Sequence, residues 1–274
     1  SPYIVRARLE SQEYWRHKLE WDTPLPADLL PRWSDWVVEL SQLPQITVPR
    51  CLRALNNKRE KSVELHAFAD ASELAYAVSI YMVIKYEDGN ATSTLLAAKA
   101  RVCPIQHVTI PRLELKAALL ACEYVTHLNK ALNLGQVQIF YWTDSRNVLS
   151  WINSDKGLDK YVANRVRKIR NMSNLTSWRW TPTDQNPADI GSRGAEVGEL
   201  ATNPLWWQGP EYLIKGPSAW PKVEKVTAQV QVCFAVNGVQ SDSEMDRFHP
   251  SSYDNLKDLL TVVSPLYYLK LKVV

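Results

Sequence analysis

Residues 63–102 read VELHAFADASELAYAVSIYMVIKYEDGNATSTLLAAKARV. Apolar and β-branched residues fall in short runs that alternate loosely with polar ones, the pattern of partly buried strands. The spacing predicts strands at 64–69, 75–86 and 94–102. Glu-Asp-Gly-Asn at 87–90 supplies the turn between the last two. Three strands joined this closely form an antiparallel meander. The first of them ends on an acid, Asp70.

Toward the C-terminus the period changes. Pro111 stands where a helix start tolerates it, and residues 113–132 place Leu115, Leu119, Cys122 and Val125 at core spacing. Residues 137–142 form a compact apolar strand that runs directly into Thr143-Asp144-Ser145. Helices are predicted at 146–152 and 158–172 and a strand at 177–181, and Asn186-Pro187-Ala188-Asp189 opens a last helical turn. The order βββαβααβα implies an α/β fold, a mixed five-stranded sheet with helices on its faces.

Before the meander, residues 4–20 and 27–43 read as amphipathic helices. The first brings Ile4, Leu9, Trp15 and Leu19 near helical spacing, and the second turns Leu29, Leu30, Trp33, Trp36, Val37 and Leu40 inward. A polar, basic stretch at 56–61 reads as a linker. After Arg193 the chain is rich in Trp, Pro and Gly and reads as an irregular packed extension. Residues 229–246 read as a polar linker, and 250–274 as the beginning of a helical region. The expected domains are 1–62, 63–195, 196–228 and 229–274. The chain opens Ser-Pro without Met, which reads as a segment of a longer polypeptide, and shows no signal peptide. The apolar run at 259–274 is interrupted by Pro265, Lys270 and Lys272 and is too short to span a bilayer.

Four cysteines, Cys51, Cys103, Cys122 and Cys233, lie far apart without zinc-ligand spacing, which excludes a zinc module and suits a reducing compartment. The net charge of +3 excludes a polycation. The excess is local: residues 63–195 carry 15 basic and 12 acidic side chains, whereas 196–274 carry 7 and 9.

The acids at the ends of the apolar runs are the candidate chemistry. Asp70 and Asp144 end strands, Glu114 lies in the first turn of the helix predicted from 113, and Asp189 opens the last helix. Taken singly, each has a structural explanation. Asp144 and Asp189 are placed to cap helices, and Glu114 to complement a helix dipole. Taken together, strands one and four are neighbours in the expected sheet, so the acids converge on one edge. Four carboxylates with no cation assigned to them repel one another. Hard divalent ions such as Mg²⁺ relieve this and accept oxygen ligands. Two such ions about 4 Å apart are a known solution for in-line phosphodiester hydrolysis.

Phe68-Ala69-Asp70-Ala71-Ser72, Ile110-Pro111-Arg112-Leu113-Glu114-Leu115, Trp142-Thr143-Asp144-Ser145 and Asn186-Pro187-Ala188-Asp189-Ile190-Gly191-Ser192-Arg193-Gly194 resemble the ribonuclease H domain of Bel/Pao-type long-terminal-repeat retrotransposon polyproteins. The resemblance covers roughly 63–221, including Trp206-Trp207-Gln208-Gly209-Pro210 and Trp220-Pro221. Residues 1–50, with Leu19-Glu20-Trp21-Asp22 and Pro49-Arg50, resemble the segment that follows the reverse transcriptase, and the last residues the approach to the integrase. The resemblance implies a ribonuclease H-like sheet and a catalytic, metal-binding set of Asp70, Glu114, Asp144 and Asp189. It implies two Mg²⁺ ions, with Mn²⁺ as a substitute. Asp70 would bridge both ions, Asp189 would hold the water-activating one, and Glu114 and Asp144 the one at the leaving group. Glu114 would lie near the ribose 2′-OH that marks RNA. The implied substrate is the RNA strand of an RNA–DNA hybrid. The implied partners are the reverse transcriptase and integrase portions of the same polyprotein, with no membrane, in a cytoplasmic virus-like particle or the nucleus. One departure is visible: the loop Thr181-Pro182-Thr183-Asp184-Gln185 has no histidine, where many relatives carry one that aids product release.

Basic residues offer phosphate contacts. Lys160, Arg167 and Arg170 share one face of the helix at 158–172, and Arg112 and Arg146 lie beside candidate acids. The other reading of each is structural, as a solvated face or a carboxylate partner. A second function class also stands, a decayed or domesticated module that grips hybrid without cutting. A third, a different nuclease or an integrase on the same fold, is disfavoured by the four-acid order, since integrase-type sites use three acids. Loss of any of the four acids would favour the non-cutting module, and all four are present.

Overall fold

The computed structural model describes residues 1–20, 22–48, 51, 52, 58–154 and 157–222. The chain divides into two compact units, residues 1–19 with 24–224 and residues 20–23 with 225–274. The fold below is that of the first. The expected linker at 229–246, the helical region at 250–274 and the Pro49-Arg50 motif lie outside the described residues, as do Trp21 and residues 56 and 57 of the expected linker at 56–61, whose last two residues belong to a strand.

Two helices come first, α1 (Pro2–Arg16) and α2 (Leu30–Leu40). The meander follows as β1 (Glu60–Ala71), β2 (Ala75–Tyr86) and β3 (Ala91–Val102). Next come α3 (Ile110–Leu132), β4 (Gln138–Thr143), α4 (Arg146–Asn153), α5 (Lys160–Met172) and β5 (Trp178–Trp180). After α6 (Pro187–Arg193), the extension is built of three short helices, α7 (Val197–Thr202), α8 (Pro204–Gln208) and α9 (Tyr212–Lys215).

The sheet order is β3-β2-β1-β4-β5. β1 pairs antiparallel with β2 and parallel with β4. β1 starts at Glu60 rather than 64 because its register with β2 continues to Tyr86. Both faces of the sheet are covered, so its central strands are apolar on both sides. On one face Leu65, Ala67, Ala69, Val78 and Ile80 pack with Leu115, Ala118 and Cys122 of α3 and with α4 and α5. On the other, Phe68, Tyr81, Val83, Phe140 and Trp142 meet Ala188 of α6, Tyr212 and Leu213 of α9, and Trp220. Phe68 stacks on Trp142 at 5.6 Å between ring centroids, and Phe140 meets Trp220 edge-on at 4.6 Å. The Trp-rich extension thus forms the lid of the second core.

The N-terminal helices differ in detail from their pattern. α1 stops at Arg16, because Lys18 turns left-handed at φ 52° and ends the helical run. Its buried residues are Pro2, Tyr3, Val5 and Ala7, while Ile4 and Trp15 are exposed. Small residues face inward because α1 lies close against β3 and α6. Val5 joins Ala75, Ala77 and Ala100 in one cluster. Arg8 donates to the Ala100 carbonyl at 2.8 Å and Gln12 to that of Cys103 at 2.6 Å. α2 packs on α1 through Trp33 and Trp36, and Trp36 stacks on Tyr3 at 5.0 Å. Glu39 pairs with Arg6 at 2.5 Å and accepts the Val197 N–H at 2.6 Å, which ties α2 to the start of α7.

Candidate active site

Asp70 and Asp144 reach one sheet edge by strand register. Ala69 of β1 pairs with Thr143 of the parallel β4, so the next residue on each strand is an acid at the same level. α3 approaches this edge from one face and brings Glu114. α6 lies against β1 and β2 on the other and brings Asp189. Because α3 begins at Ile110, Glu114 sits one turn inside the helix rather than in its first turn.

None of the four acids is spent on capping. Ser145 is the N-cap of α4, with its hydroxyl accepting the Val148 N–H at 3.2 Å. Asn186 is the N-cap of α6, accepting the Ala188 N–H at 3.2 Å. Thr109 precedes α3. The structural explanations open to Asp144 and Asp189 as caps are therefore taken by their neighbours.

Asp70 is buried, and its carboxyl is pushed up to about 7. Burial is the largest cause, the Ser192 hydroxyl opposes it, and the charges of Asp144, Asp189 and Glu114 add to it. Glu114 is also raised, by burial first and by the Asp144 charge, against a hydrogen bond from Ser145. Asp70 thus feels the other three acids, and Glu114 feels Asp144.

The supporting polar groups are not among the candidate site residues of the sequence, although Ser72, Asn186 and Ser192 stand in the motifs that carry the resemblance. Ser192, one turn after Asp189, donates a short hydrogen bond to Asp70, and its carbonyl accepts the Ser72 hydroxyl at 2.9 Å. Asn186 donates to the Ala69 carbonyl at 3.2 Å and makes a long 3.5 Å contact to Asp144. Arg193 pairs with Asp189 at 2.6 Å, so the acids do have a cation among them. That pair was legible as an i, i+4 spacing. The Ser192 and Asn186 contacts join residues more than 40 positions apart and leave no local signal.

The basic candidates divide. Arg112 pairs with Asp159 at 3.1 Å and lies over the Tyr161 ring at 5.0 Å. Arg146 is exposed and lies over Trp180 at 5.8 Å. Lys160 and Arg167 are exposed on α5. Arg170 is half-buried and turned away from them, donating to the Ile152 and Ser154 carbonyls at 2.9 and 2.6 Å at the end of α4. Trp178 is buried against Tyr141. Cys103 and Cys122 are buried and Cys51 is exposed. No helix of the described residues is long and apolar enough to cross a membrane.

The donor set fits hard divalent ions in kind, being carboxylates only. As the side chains stand, however, no group of three or more His, Cys, Asp or Glu among the described residues is arranged to hold an ion. Ser192 holds one oxygen of Asp70 and Arg193 one oxygen of Asp189.

A β3-β2-β1-β4-β5 sheet covered on both faces, with acids at the end of β1 and just after β4 and on helices from either side, defines a ribonuclease H-like domain. The chain belongs to the family described as the Pao retrotransposon-like RNaseH-like domain, whose model matches residues 1–145, just over half of its length. The match takes in α1 and α2 as well as Asp70, Glu114 and Asp144. No curated protein matches the sequence. Among solved structures, the N-terminal RNase H domain of Rv2228c from Mycobacterium tuberculosis is 17% identical over 48% of this chain and 94% of that one, with a TM-score of 0.33. LC11-RNase H1, isolated from compost and solved with an RNA/DNA hybrid, is 16% identical over 47% and 91%, with a TM-score of 0.32. The foamy viral protease-reverse transcriptase, also solved with an RNA/DNA hybrid, is 15% identical over 63% of this chain and 26% of that one, with a TM-score of 0.27.

Proposed function

We propose that this chain is a metal-dependent ribonuclease H that hydrolyses the RNA strand of RNA–DNA hybrids formed during retrotransposon reverse transcription. The observation that carries the reading is the state of Asp70: a buried carboxyl, raised to about 7 by burial and by three neighbouring acids, none of which caps a helix. Perturbed carboxyls of this kind cluster at functional sites, and a set of carboxylates suits hard divalent ions.

Asp70, Glu114, Asp144 and Asp189 would hold two Mg²⁺ ions, or Mn²⁺ in their place. When bound, the ions supply an activated water and stabilise the leaving oxygen. The chain's own residues do the positioning. Ser192 fixes the Asp70 carboxylate from α6. Asn186 joins β1, the start of α6 and Asp144. Ser145 hydrogen-bonds Glu114, the acid that would lie near a ribose 2′-OH. Exposed Lys160, Arg167 and Arg146 would meet backbone phosphates. The loop without histidine bears on turnover and leaves the acid set intact.

In the polyprotein, residues 1–62 would connect the reverse transcriptase to the nuclease, 63–195 form the nuclease, 196–228 the extension, and 229–274 lead toward the integrase. The setting would be a cytoplasmic virus-like particle or the nucleus. The test is a labelled RNA–DNA hybrid incubated with Mg²⁺ and the full chain, beside Asp70→Asn. Cleavage of the RNA strand that needs Mg²⁺ and is lost in the variant is the expected result. Metal-independent cleavage, or none by the parent chain, would overturn the reading.

A further inference from the structure

We propose that Arg193 is a displaceable internal counter-ion of the acid cluster: it pairs with Asp189, and a divalent ion taking Asp189 competes with it for the carboxylate. The inference rests on the reading of the four acids as a metal site.

Three observations carry it. Arg193 Nε donates to Asp189 Oδ1 at 2.6 Å, so one guanidinium N–H holds one carboxylate oxygen. The Arg193 side chain is 67% exposed against 27% for Asp189, so its head can leave without opening any packing. Ser192, on the same helix as this pair, donates to the buried Asp70, so the pair stands beside the acid cluster. The reach of the guanidinium extends past its partner. Its protonated form is favoured first by Asp189 and then, against some burial, by Asp70 and Asp144.

The backbone beneath Arg193 is fixed, which makes the motion one of the side chain. Arg193 is the last residue of α6, and Gly194 follows at φ +83°. A Cβ added there would stand 3.0 Å from Arg6 Cγ and 3.1 Å from Val5 Cγ1, so α1 clamps the helix end. An exposed ion pair is weak, and a divalent ion outcompetes a single guanidinium charge at a carboxylate. Once released, the planar fork is suited to a phosphate.

The test is Mn²⁺ binding to the full chain by calorimetry, for the parent, Arg193→Gln, Arg193→Lys and Asp70→Asn. Removing the competing cation should tighten Mn²⁺ binding by roughly three- to tenfold in Arg193→Gln, with Arg193→Lys between it and the parent. In the parent, Mg²⁺ should move the Arg193 Nε–H resonance to the position of solvated arginines. Equal or weaker Mn²⁺ binding by Arg193→Gln, while Asp70→Asn loses it, would overturn the counter-ion proposal and leave the metal site standing. No Mn²⁺ binding by the parent, or unchanged binding by Asp70→Asn, would overturn the metal site itself.

Discussion

Trp142 donates its indole N–H to Nδ1 of His66 at 3.1 Å. The bond fixes the tautomer, because Nδ1 must be the bare nitrogen and Nε2 the one that carries hydrogen. Nε2 in turn faces Glu64 at 3.2 Å. Desolvation alone would raise Glu64, but His66 and Lys85 outweigh it and hold the carboxyl below its usual range. Burial holds the His66 ring below 6.5, against the pull of Glu64. A second proton would set two N–H groups face to face.

A pH dependence of stability follows. The unfolded chain takes up a proton at His66 near 6.5, and the folded chain only at lower pH. The contribution is therefore whole above 6.5 and is lost as pH falls toward the folded value, at no more than about 1.4 kcal/mol per pH unit. Asp70, raised in the fold, acts with the opposite sign over part of that range, so the quantity to measure is a difference. Relative to His66→Gln, the parent should lose stability between about pH 7 and pH 5.5 in urea unfolding without metal. A constant gap would contradict the buried neutral ring.

Asp70→Asn should stabilise the metal-free chain while removing its response to metal. The variant keeps an acceptor for the Ser192 hydroxyl and deletes a charge that burial and three acids oppose. The distance from 3.8 to about 7 sets an upper bound of about 4 kcal/mol at neutral pH. A rise of about 1–3 kcal/mol is expected, since relaxation and solvent reduce the bound. Calorimetry in chelator and in Mg²⁺ checks both halves. The parent's Tm should climb with Mg²⁺ by ligand linkage, and the variant's should not. A Tm lowered by the substitution in chelator would show that the acids do not repel.

Which parts of this were legible in the sequence follows from how local each signal is. The strands announced themselves by alternation within a few residues, and the chain order of strands and helices limited the sheet to few topologies. Asp70 and Asp144 were visible because each directly follows an apolar strand. What the sequence could not show was which partner each long polar side chain finds. Arg170 shares its helical face with Lys160 and Arg167 by angle alone, yet the end of α4 lies within its reach and claims it. Likewise an amphipathic pattern states that α1 has an inner face. It does not say that the face must be small enough to sit on Ala75, Ala77 and Ala100.

The basic residues of α5 should therefore separate in their effects. Neutralising Lys160 and Arg167 together should leave folding unchanged and flatten the salt dependence of hybrid binding, by about one in slope for each phosphate no longer neutralised. Arg170→Gln should do the reverse. It leaves the Ile152 and Ser154 carbonyls without their donor, at about 1–3 kcal/mol, and leaves the salt slope as it was. Filter binding over a salt series and urea unfolding report the two quantities. An equal fall in slope from Arg170→Gln would place that side chain on the nucleic acid.

Gly191 sets how closely α6 approaches the sheet. A Cβ built there would lie 2.9 Å from the Ala77 Cβ, and Ala77 is the β2 partner of Asp70. Gly191→Ala must push α6 off β2, at about 1–3 kcal/mol for overpacking a closed core. Because Asp189 and Ser192 ride on the same short helix, the displacement falls on the acid cluster. Cleavage should drop more than stability does, and restoring space with Ala77→Gly should recover part of it. Full activity in the Gly191→Ala variant would mean that α6 need not approach so closely.

The last prediction concerns the N-terminal helix, which the sequence places before the sheet and the fold places against it. Val5 is 1% exposed and packs on Ala75, Ala77 and Ala100 while flanking Gly194 at the end of α6. Val5→Ala removes two methyl groups from that contact, a loss of about 2 kcal/mol. Deleting residues 1–48 removes this packing, the Arg8 and Gln12 bonds to the end of β3, and the Glu39 cap on α7 together. Residues 59–222 alone should thus melt well below the full chain and bind Mg²⁺ more weakly, since the helix that carries Asp189 and Ser192 loses its outer support. The point variant should show the same effect in reduced form, in both Tm and metal affinity. If residues 59–222 melted with the full chain, α1 would be a passenger on the sheet, and its contacts to β3 and Gly194 would contribute nothing to holding α6 in place.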